Sequence, residues 1–252
     1  MLEMVIRSEL LARIDVISRF QRSRLGPLWG TISLAITIFA ITFVFSRLFI
    51  QDRVNMVPSI CIGFVIWQVI STTVVEATDS FVASGSLMHS TAMRPIEVSI
   101  RLVIKQLYLF AINCVLIPFF CWGYLDYLSI FTIVNIFMFL AVLMSTALMV
   151  TYIISTLCAR FRDVGPAISS VMTLGFYATP IVWPKDALSG KLQFVLLHVN
   201  PFAFFVELGR FSFGLYEEFT GEIWPFLIFY LFLVVGSVFC FKKFENRVVF
   251  WV

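Results

Sequence analysis

Charge is scarce in this chain. Asp, Glu, Lys and Arg make up 13% of its 252 residues, about half the share of a soluble domain. So few charges cannot clothe a water-exposed surface around a chain in which 60% of residues are hydrophobic. Histidine is rarer still: only His89 and His198 are present, which excludes paired-histidine metal or acid–base chemistry. The five cysteines (Cys61, Cys114, Cys121, Cys158, Cys240) stand singly in apolar stretches. The nearest two along the chain, Cys114 and Cys121, are two helical turns or roughly 10 Å apart, beyond disulfide reach. There is no Gly-rich phosphate loop and no nucleophile elbow, so neither an ATP site nor a hydrolase centre is expected. No cofactor or metal is expected in this chain, and no nucleic-acid partner. A cleavable leader is missing too, because residues 1–24 are charged throughout where a leader needs a short apolar core and a small-residue cleavage site. The first apolar run is therefore expected to act as its own insertion signal.

What remains is apolar, with a mean hydropathy of +0.97, and reads as an all-α membrane protein of one domain over 1–252. Residues 1–26 predict an amphipathic interface helix. Val5, Ile6, Leu10, Ile14 and Ile17 recur at helical spacing, with Arg7, Glu9, Arg13, Asp15 and Arg19 on other faces. Six transmembrane helices are predicted at 28–50, 57–81, 98–122, 130–158, 164–183 and 224–241. Asp163 is placed to cap the fifth. Tyr124-Leu-Asp-Tyr127 predicts a tight aromatic turn between the third and fourth. Between the fifth and sixth spans, residues 186–222 carry a Phe-rich run too short to cross a bilayer, which takes about 20 residues. That stretch predicts a re-entrant outer hairpin. Residues 84–97 are small and polar and end in Arg94-Pro95, forming a connection that could present a short helix to a soluble partner.

Orientation follows from Lys and Arg. With the amino terminus inside, thirteen fall on the inner side (Arg7, Arg13, Arg19, Arg22, Arg24, Arg94, Arg101, Lys105, Arg160, Arg162, Lys242, Lys243, Arg247) and five outside (Arg47, Arg53, Lys185, Lys191, Arg210). That bias places both termini in the cytoplasm. The junction Arg19–Gly30 then lies at the inner face. Arg19, Arg22 and Arg24 stand ahead of the first span, Gly26 and Pro27 at the turn, and Trp29 at headgroup level. These cations suit either lipid headgroups or a diphosphate. Ser71, Thr72, Thr73, Glu76 and Asp79 form a polar stripe on the second span. Glu76 and Asp79 are intramembrane acids that serve either a cation path or a pairing with nearby Arg or Lys. Aromatic residues make up 17% of the chain, with 29 Phe, and such rings either pack helices or line a path for sugar. The candidates to line such a path are Phe39, Phe43, Phe176 and Tyr177 and, in the outer hairpin, Phe202, Phe204, Phe205 and Phe211.

The order of these features resembles a known family. Arg19-x-x-Arg-Ser-x-Leu-Gly-Pro-Leu-Trp29, then Arg94-Pro95, Arg162-Asp163, Thr179-Pro-Ile181 and Asn200-Pro201 follow in register like the permease subunits of ABC-type-2 polysaccharide exporters. The resemblance covers essentially the whole chain. It implies a channel formed by two copies of the chain (a homodimer), bound to two separate ATP-binding cassette subunits that hold ATP and Mg. The cargo implied is an undecaprenyl-diphosphate-linked glycan of the O-antigen, capsule or teichoic acid type, exported across the cytoplasmic (inner) membrane of a bacterium. It further implies that Ser86, Leu87, Met88, His89, Arg94 and Pro95 contact the ATPase, and that 186–222 gates the outer side. Two other readings remain: a small-molecule or drug exporter of the same superfamily, and a membrane transferase acting on lipid-linked substrates, for which Glu76 and Asp79 would be the only candidate site.

Overall fold

The computed structural model describes residues 2–18, 26, 28–48, 53–91, 93–122, 129–183, 190–216, 218–219 and 221–252. Within them every regular element is helical: α1 (Leu2–Ser18), α2 (Leu28–Leu48), α3 (Arg53–Ala83), α4 (Gly85–Thr91), α5 (Pro95–Asn113), α6 (Leu116–Phe120), α7 (Ile130–Arg160), α8 (Val164–Ala178), α9 (Gly190–Phe194) running into a π-helical turn (Val195–Val199), α10 (Pro201–Ser212) and α11 (Ile223–Val248).

Helix boundaries follow local chemistry. Pro95 opens α5, where its missing N–H has no partner to lose, and Glu97 Oε1 accepts from the Arg94 backbone N–H at 3.4 Å. Ser129 Oγ accepts from Thr132 N at 3.3 Å to open α7. Asn200 Oδ1 accepts from Phe202 N at 3.0 Å, and Pro201 opens α10. Asp163 does stand at the start of α8, but its side chain makes no capping hydrogen bond. Its backbone is already helical there, and a capping residue is normally extended. Pro180 ends α8 early, because the residue before a proline is driven to extended geometry; Thr179 is extended accordingly.

Among the described residues, five helical stretches are long and apolar enough to cross a membrane: α2, α3, α5 with α6, α7 and α11. α8 is apolar but has 15 residues, about 22 Å of helix against a hydrocarbon core of about 30 Å. The predicted span 164–183 is thus helical only to Ala178. The predicted span 98–122 breaks at Cys114–Val115, where the hydrogen-bond pattern tightens (Val115 N to Ile112 O, 3.2 Å) before α6 begins. The last span does not close at Lys242-Lys243 but continues to Val248. The connection 84–97 is mostly α4 and the start of α5. The turn predicted at Tyr124–Tyr127 lies outside the described residues.

α3 is the centre of the bundle, packing against α2, α5, α7, α8 and α10. Ile60, Cys61, Ile62, Val65, Ile66 and Val69 are buried together, so α3 is apolar on several faces at once, as a helix enclosed by neighbours must be. A second cluster lies at the other end, where Phe81, Met88, Met93, Tyr152 and Val248 bring together α3, α4, α7 and α11.

α1 lies across α5 and sorts its faces in an informative way. Ser8 and Ala12 are fully buried against it, while Val5, Ile6, Leu10, Ile14 and Ile17 point away and are exposed. Small residues permit the close helix contact, and the apolar stripe is left for hydrocarbon at an interface.

Candidate functional site

At one end of the bundle, α1, α4, α5 and the turn after α11 form a polar platform. Arg101 grips Asp15 with two nitrogens, Nε to Oδ2 at 2.6 Å and Nη2 to Oδ1, a planar fork that fixes orientation as well as distance. Tyr108 Oη donates to Glu9 Oε1 at 3.1 Å and accepts from Arg13 Nε at 3.1 Å. Arg7 Nη2 donates to the Thr91 carbonyl at 3.2 Å, tying α1 to the end of α4. Of the predicted ATPase-contact residues, Ser86, His89 and Arg94 are exposed, Leu87 is half-buried, and Met88 and Pro95 are buried. His89 Nε2 lies 3.2 Å from the Val252 carbonyl oxygen, and a Cβ at Gly85 would stand 3.4 Å from the Val252 backbone. The turn after α11 therefore braces α4 from behind. Arg160 stacks over Trp251 at 5.2 Å, and Trp251 in turn lies 5.5 Å from Phe244.

The polar stripe on α3 meets partners on α5. Lys105 Nζ forms an ion pair with Glu76, and Gln106 Nε2 donates to the same carboxylate at 2.9 Å. Thr72 Oγ1 donates to Gln106 Oε1 at 2.9 Å. Glu76 is thus committed to a cation one helix away. Asp79 is exposed and does not share that site. The pairing could be sought in the sequence through Lys105-Gln106, adjacent polar residues in an otherwise apolar helix.

At the other end, α10 holds the turn that follows α8. Asn200 Nδ2 donates to Thr179 Oγ1 at 3.1 Å and to the Ala178 carbonyl at 3.4 Å. Arg210, only 3% exposed, donates from Nη2 to the Ile181 carbonyl and from Nε and Nη2 to the Ser59 carbonyl, at 3.2–3.3 Å. The two motifs Thr179-Pro-Ile181 and Asn200-Pro201 are therefore one joint. Arg210, counted from the sequence among outer-side charges, is its buried pin. Gly63 makes room for the pin, since a Cβ there would lie 3.2 Å from the guanidinium.

The predicted aromatic sites divide between surface and core. Phe39 and Phe43 are exposed on α2, their rings 6.4 Å apart, and Tyr177 is exposed on α8. Phe176 is half-buried against Trp67 and Phe64, at 5.8 and 5.6 Å. On α10, Phe202 meets Trp67 edge-on at 5.5 Å. Phe204 stacks on Phe226 of α11 at 3.9 Å, Phe205 meets the same ring at 5.4 Å, and Phe211 lies 6.0 Å from Phe219. Phe204 and Phe205 are buried, so they anchor α10 to α11. Gly26 takes a φ of 55°, and Trp29 is exposed. Arg19, Arg22, Arg24 and Pro27 lie outside the described residues.

A family model described as "ABC-2 type transporter" matches residues 9–214, from within α1 to the turn after α10. The chain belongs to the ABC-2 type transporter family. Relatives of similar length point the same way. An O-antigen export system permease protein RfbA of Klebsiella pneumoniae is 24% identical over 191 residues, covering 75% of this chain and 73% of that protein. One of Myxococcus xanthus is 21% identical over 192 residues, covering 76% and 74%. As an ABC-2 transporter component with several helices of spanning length, this chain is a multi-pass membrane protein.

Within this ABC-2 chain, polar helix residues that escape sequence reasoning include Thr31, Gln68 and Asn113. Thr31 Oγ1 donates to Asn113 Oδ1 at 2.7 Å, joining α2 to α5. Each is a lone polar residue in an apolar run, and only their meeting in space gives them a meaning.

Proposed function

We propose that this chain is the channel-forming permease of an exporter of lipid-linked polysaccharide of the O-antigen type. Two copies would pair and carry two ATP-binding cassette subunits in the cytoplasmic membrane of a bacterium, with both termini inside. The observation that carries this reading is the family match over most of the chain, together with relatives named as O-antigen export permeases over three-quarters of its length.

The geometry supports the division of labour. The α1–α4–α5 platform holds α4 rigidly from two sides, as a surface that receives force from a soluble subunit requires. At the other end, α10 begins at Trp67 of α3, fourteen residues and roughly 20 Å along that helix. We therefore read 190–212 as a re-entrant hairpin, and α8 with the turn 179–183 as a sixth, partly irregular crossing. Irregular backbone within a bilayer needs its carbonyls satisfied by protein, and Asn200 and Arg210 do this for Ala178 and Ile181. Arg19, Arg22 and Arg24 would meet the diphosphate of the carrier lipid, and the exposed rings of Phe39, Phe43 and Tyr177 would contact sugar.

Deleting the gene should leave lipid-linked glycan inside the cell, detected by extraction and mass analysis. Purified chain reconstituted with its ATPase should export that glycan only with ATP. Export without any ATPase would refute the reading, and accumulation of a small molecule in place of glycan would favour the drug-exporter alternative.

A further inference from the structure

A cavity of about 110 Å³ lies between α2, α3 and α5, its polar wall formed by Thr31, Gln68, Thr72, Gln106 and Asn113 and the rest by apolar residues such as Leu109 and Phe110. It contrasts with a cavity of about 310 Å³ between α3, α7, α8 and α10, whose lining is aliphatic and aromatic apart from two threonines. Hydrogen bonds fix the walls of the smaller one. Asn113 Oδ1 accepts from Thr31 and Gln106 Oε1 accepts from Thr72, while Gln106 Nε2 donates to Glu76. With its oxygen engaged, Asn113 presents its amide N–H groups without a partner among the described residues. The Gln68 carboxamide also makes no hydrogen bond there.

Gln68 is exposed in the middle of α3, a helix apolar enough to cross a membrane. A bare carboxamide is costly in hydrocarbon, so this face of α3 turns toward water or polar cargo. The lining also selects the chemistry. A phosphate calls for a cation, and the nearby Lys105 is taken by Glu76. An acyl chain calls for a wall apolar almost throughout, as in the larger cavity, and would leave the carboxamides of Gln68 and Asn113 unpaired. Neutral donors and acceptors around a space of about three waters match a hydroxyl or acetamido group.

We propose that this cavity is a carbohydrate subsite in which Gln68 and Asn113 hydrogen-bond a polar substituent of the passing glycan. The proposal rests on the glycan-export reading and assigns that path a place between α2, α3 and α5.

The test uses the dimer with its ATPase in vesicles, in a background lacking the five native cysteines and carrying Gln68→Cys or, as a lipid-facing control, Phe137→Cys. A water-soluble methanethiosulfonate should modify position 68 about tenfold faster or more than position 137, because the reacting thiolate needs water. Lipid-linked glycan extracted from cells deleted for this chain should slow the reaction; undecaprenyl phosphate alone should not. No modification at 68 would overturn the proposal, as would equal slowing by both lipids (a carrier-lipid site) or slowing by neither (a hydrated cavity only). Gln68→Leu and Asn113→Leu should each lower export about three- to tenfold, the worth of one hydrogen bond, with Gln68→Asn restoring part of it. If Asn113→Leu fails to accumulate, Gln68→Leu alone decides, since its side chain holds no other part of the fold; unchanged export in that variant would overturn the proposal. Wild-type export in the same vesicles separates the two readings: no export refutes glycan transport, whereas export without protection at 68 refutes the subsite alone.

Discussion

Arg210 is the residue whose environment differs most from what its place in the sequence suggests. Between Gly209 and Phe211 in a segment predicted to lie outside, it reads as a topology signal. In the structure its guanidinium ties α10 to Ser59 of α3 and to Ile181 beyond α8, with Glu207 one turn away adding a favourable charge. Arg210→Met would leave the buried Ser59 and Ile181 carbonyls without their donor, at a cost of about 2 kcal/mol. A marked fall in melting temperature in detergent is the expected measurement. Arg210→Lys should recover only part of the loss, because an ammonium cannot reproduce the planar fork. Glu76 and Lys105 allow a cleaner comparison. Glu76→Ala should destabilise more than the double change with Lys105→Met, since only the single variant strands a cation between helices. Thermal melts of the four chains would show it, while Asp79→Ala should change little. Gly26 was legible as a turn residue, and its φ of 55° gives the reason. Gly26→Ala should cost about 1 kcal/mol locally and reduce export while membrane insertion, followed by fractionation, is unaffected. Full export in that variant would reduce the junction to an anchor.

At the scale of elements, apolar length was well marked in the sequence and helix ends were not. Runs such as Ile130–Arg160 appear wherever no charge interrupts, so their existence could be read directly. The ends depend on local events: Pro180 cuts α8 short, Cys114–Val115 interrupts the third span, and α11 ignores Lys242 and Lys243 because both side chains lie exposed and need no loop to reach water. Which face packs where was harder to foresee. The apolar stripe of α1 could be read as a membrane-interface face, but nothing in the sequence marked Ser8 and Ala12 as the contact with α5. Pairing across the fold was hidden as well: Cys61 Sγ of α3 donates to the Leu116 carbonyl of α6 at 3.7 Å, fifty-five residues away. The seat of α10 on α3 offers an element-level test. A Cβ at Gly209 would stand 1.9 Å from Ile66 Cδ1, so Gly209→Ala must push α10 or Ile66 aside, costing about 1–3 kcal/mol. Adding Ile66→Val removes the offending methyl and should restore much of the stability.

At the scale of the molecule, the five matched motifs were legible in order but not in arrangement. Thr179-Pro-Ile181 and Asn200-Pro201 looked like separate loop signatures and turn out to be two halves of one joint. The acids of the α3 stripe looked like a possible path, and Glu76 proves to be held by α5. Phe39 and Phe43 stand exposed on α2. If two copies pair as proposed, cysteine introduced at Phe43 should form an inter-chain crosslink on oxidation in membranes, seen as a dimer band. A cysteine at Phe137 on α7 should not.

The central position of α3 has a consequence for how the chain is made. It is the second long helix to leave the ribosome, yet α7, α8 and α10, which enclose it, are synthesised tens to more than a hundred residues later. Chains fold from the amino end during synthesis, so for that interval the α3 face carrying Ile66 and Thr73 has no protein neighbour. The insertion machinery must shelter α3 until the later helices arrive, which makes its assembly, rather than its final stability, the step most sensitive to added polarity on that face.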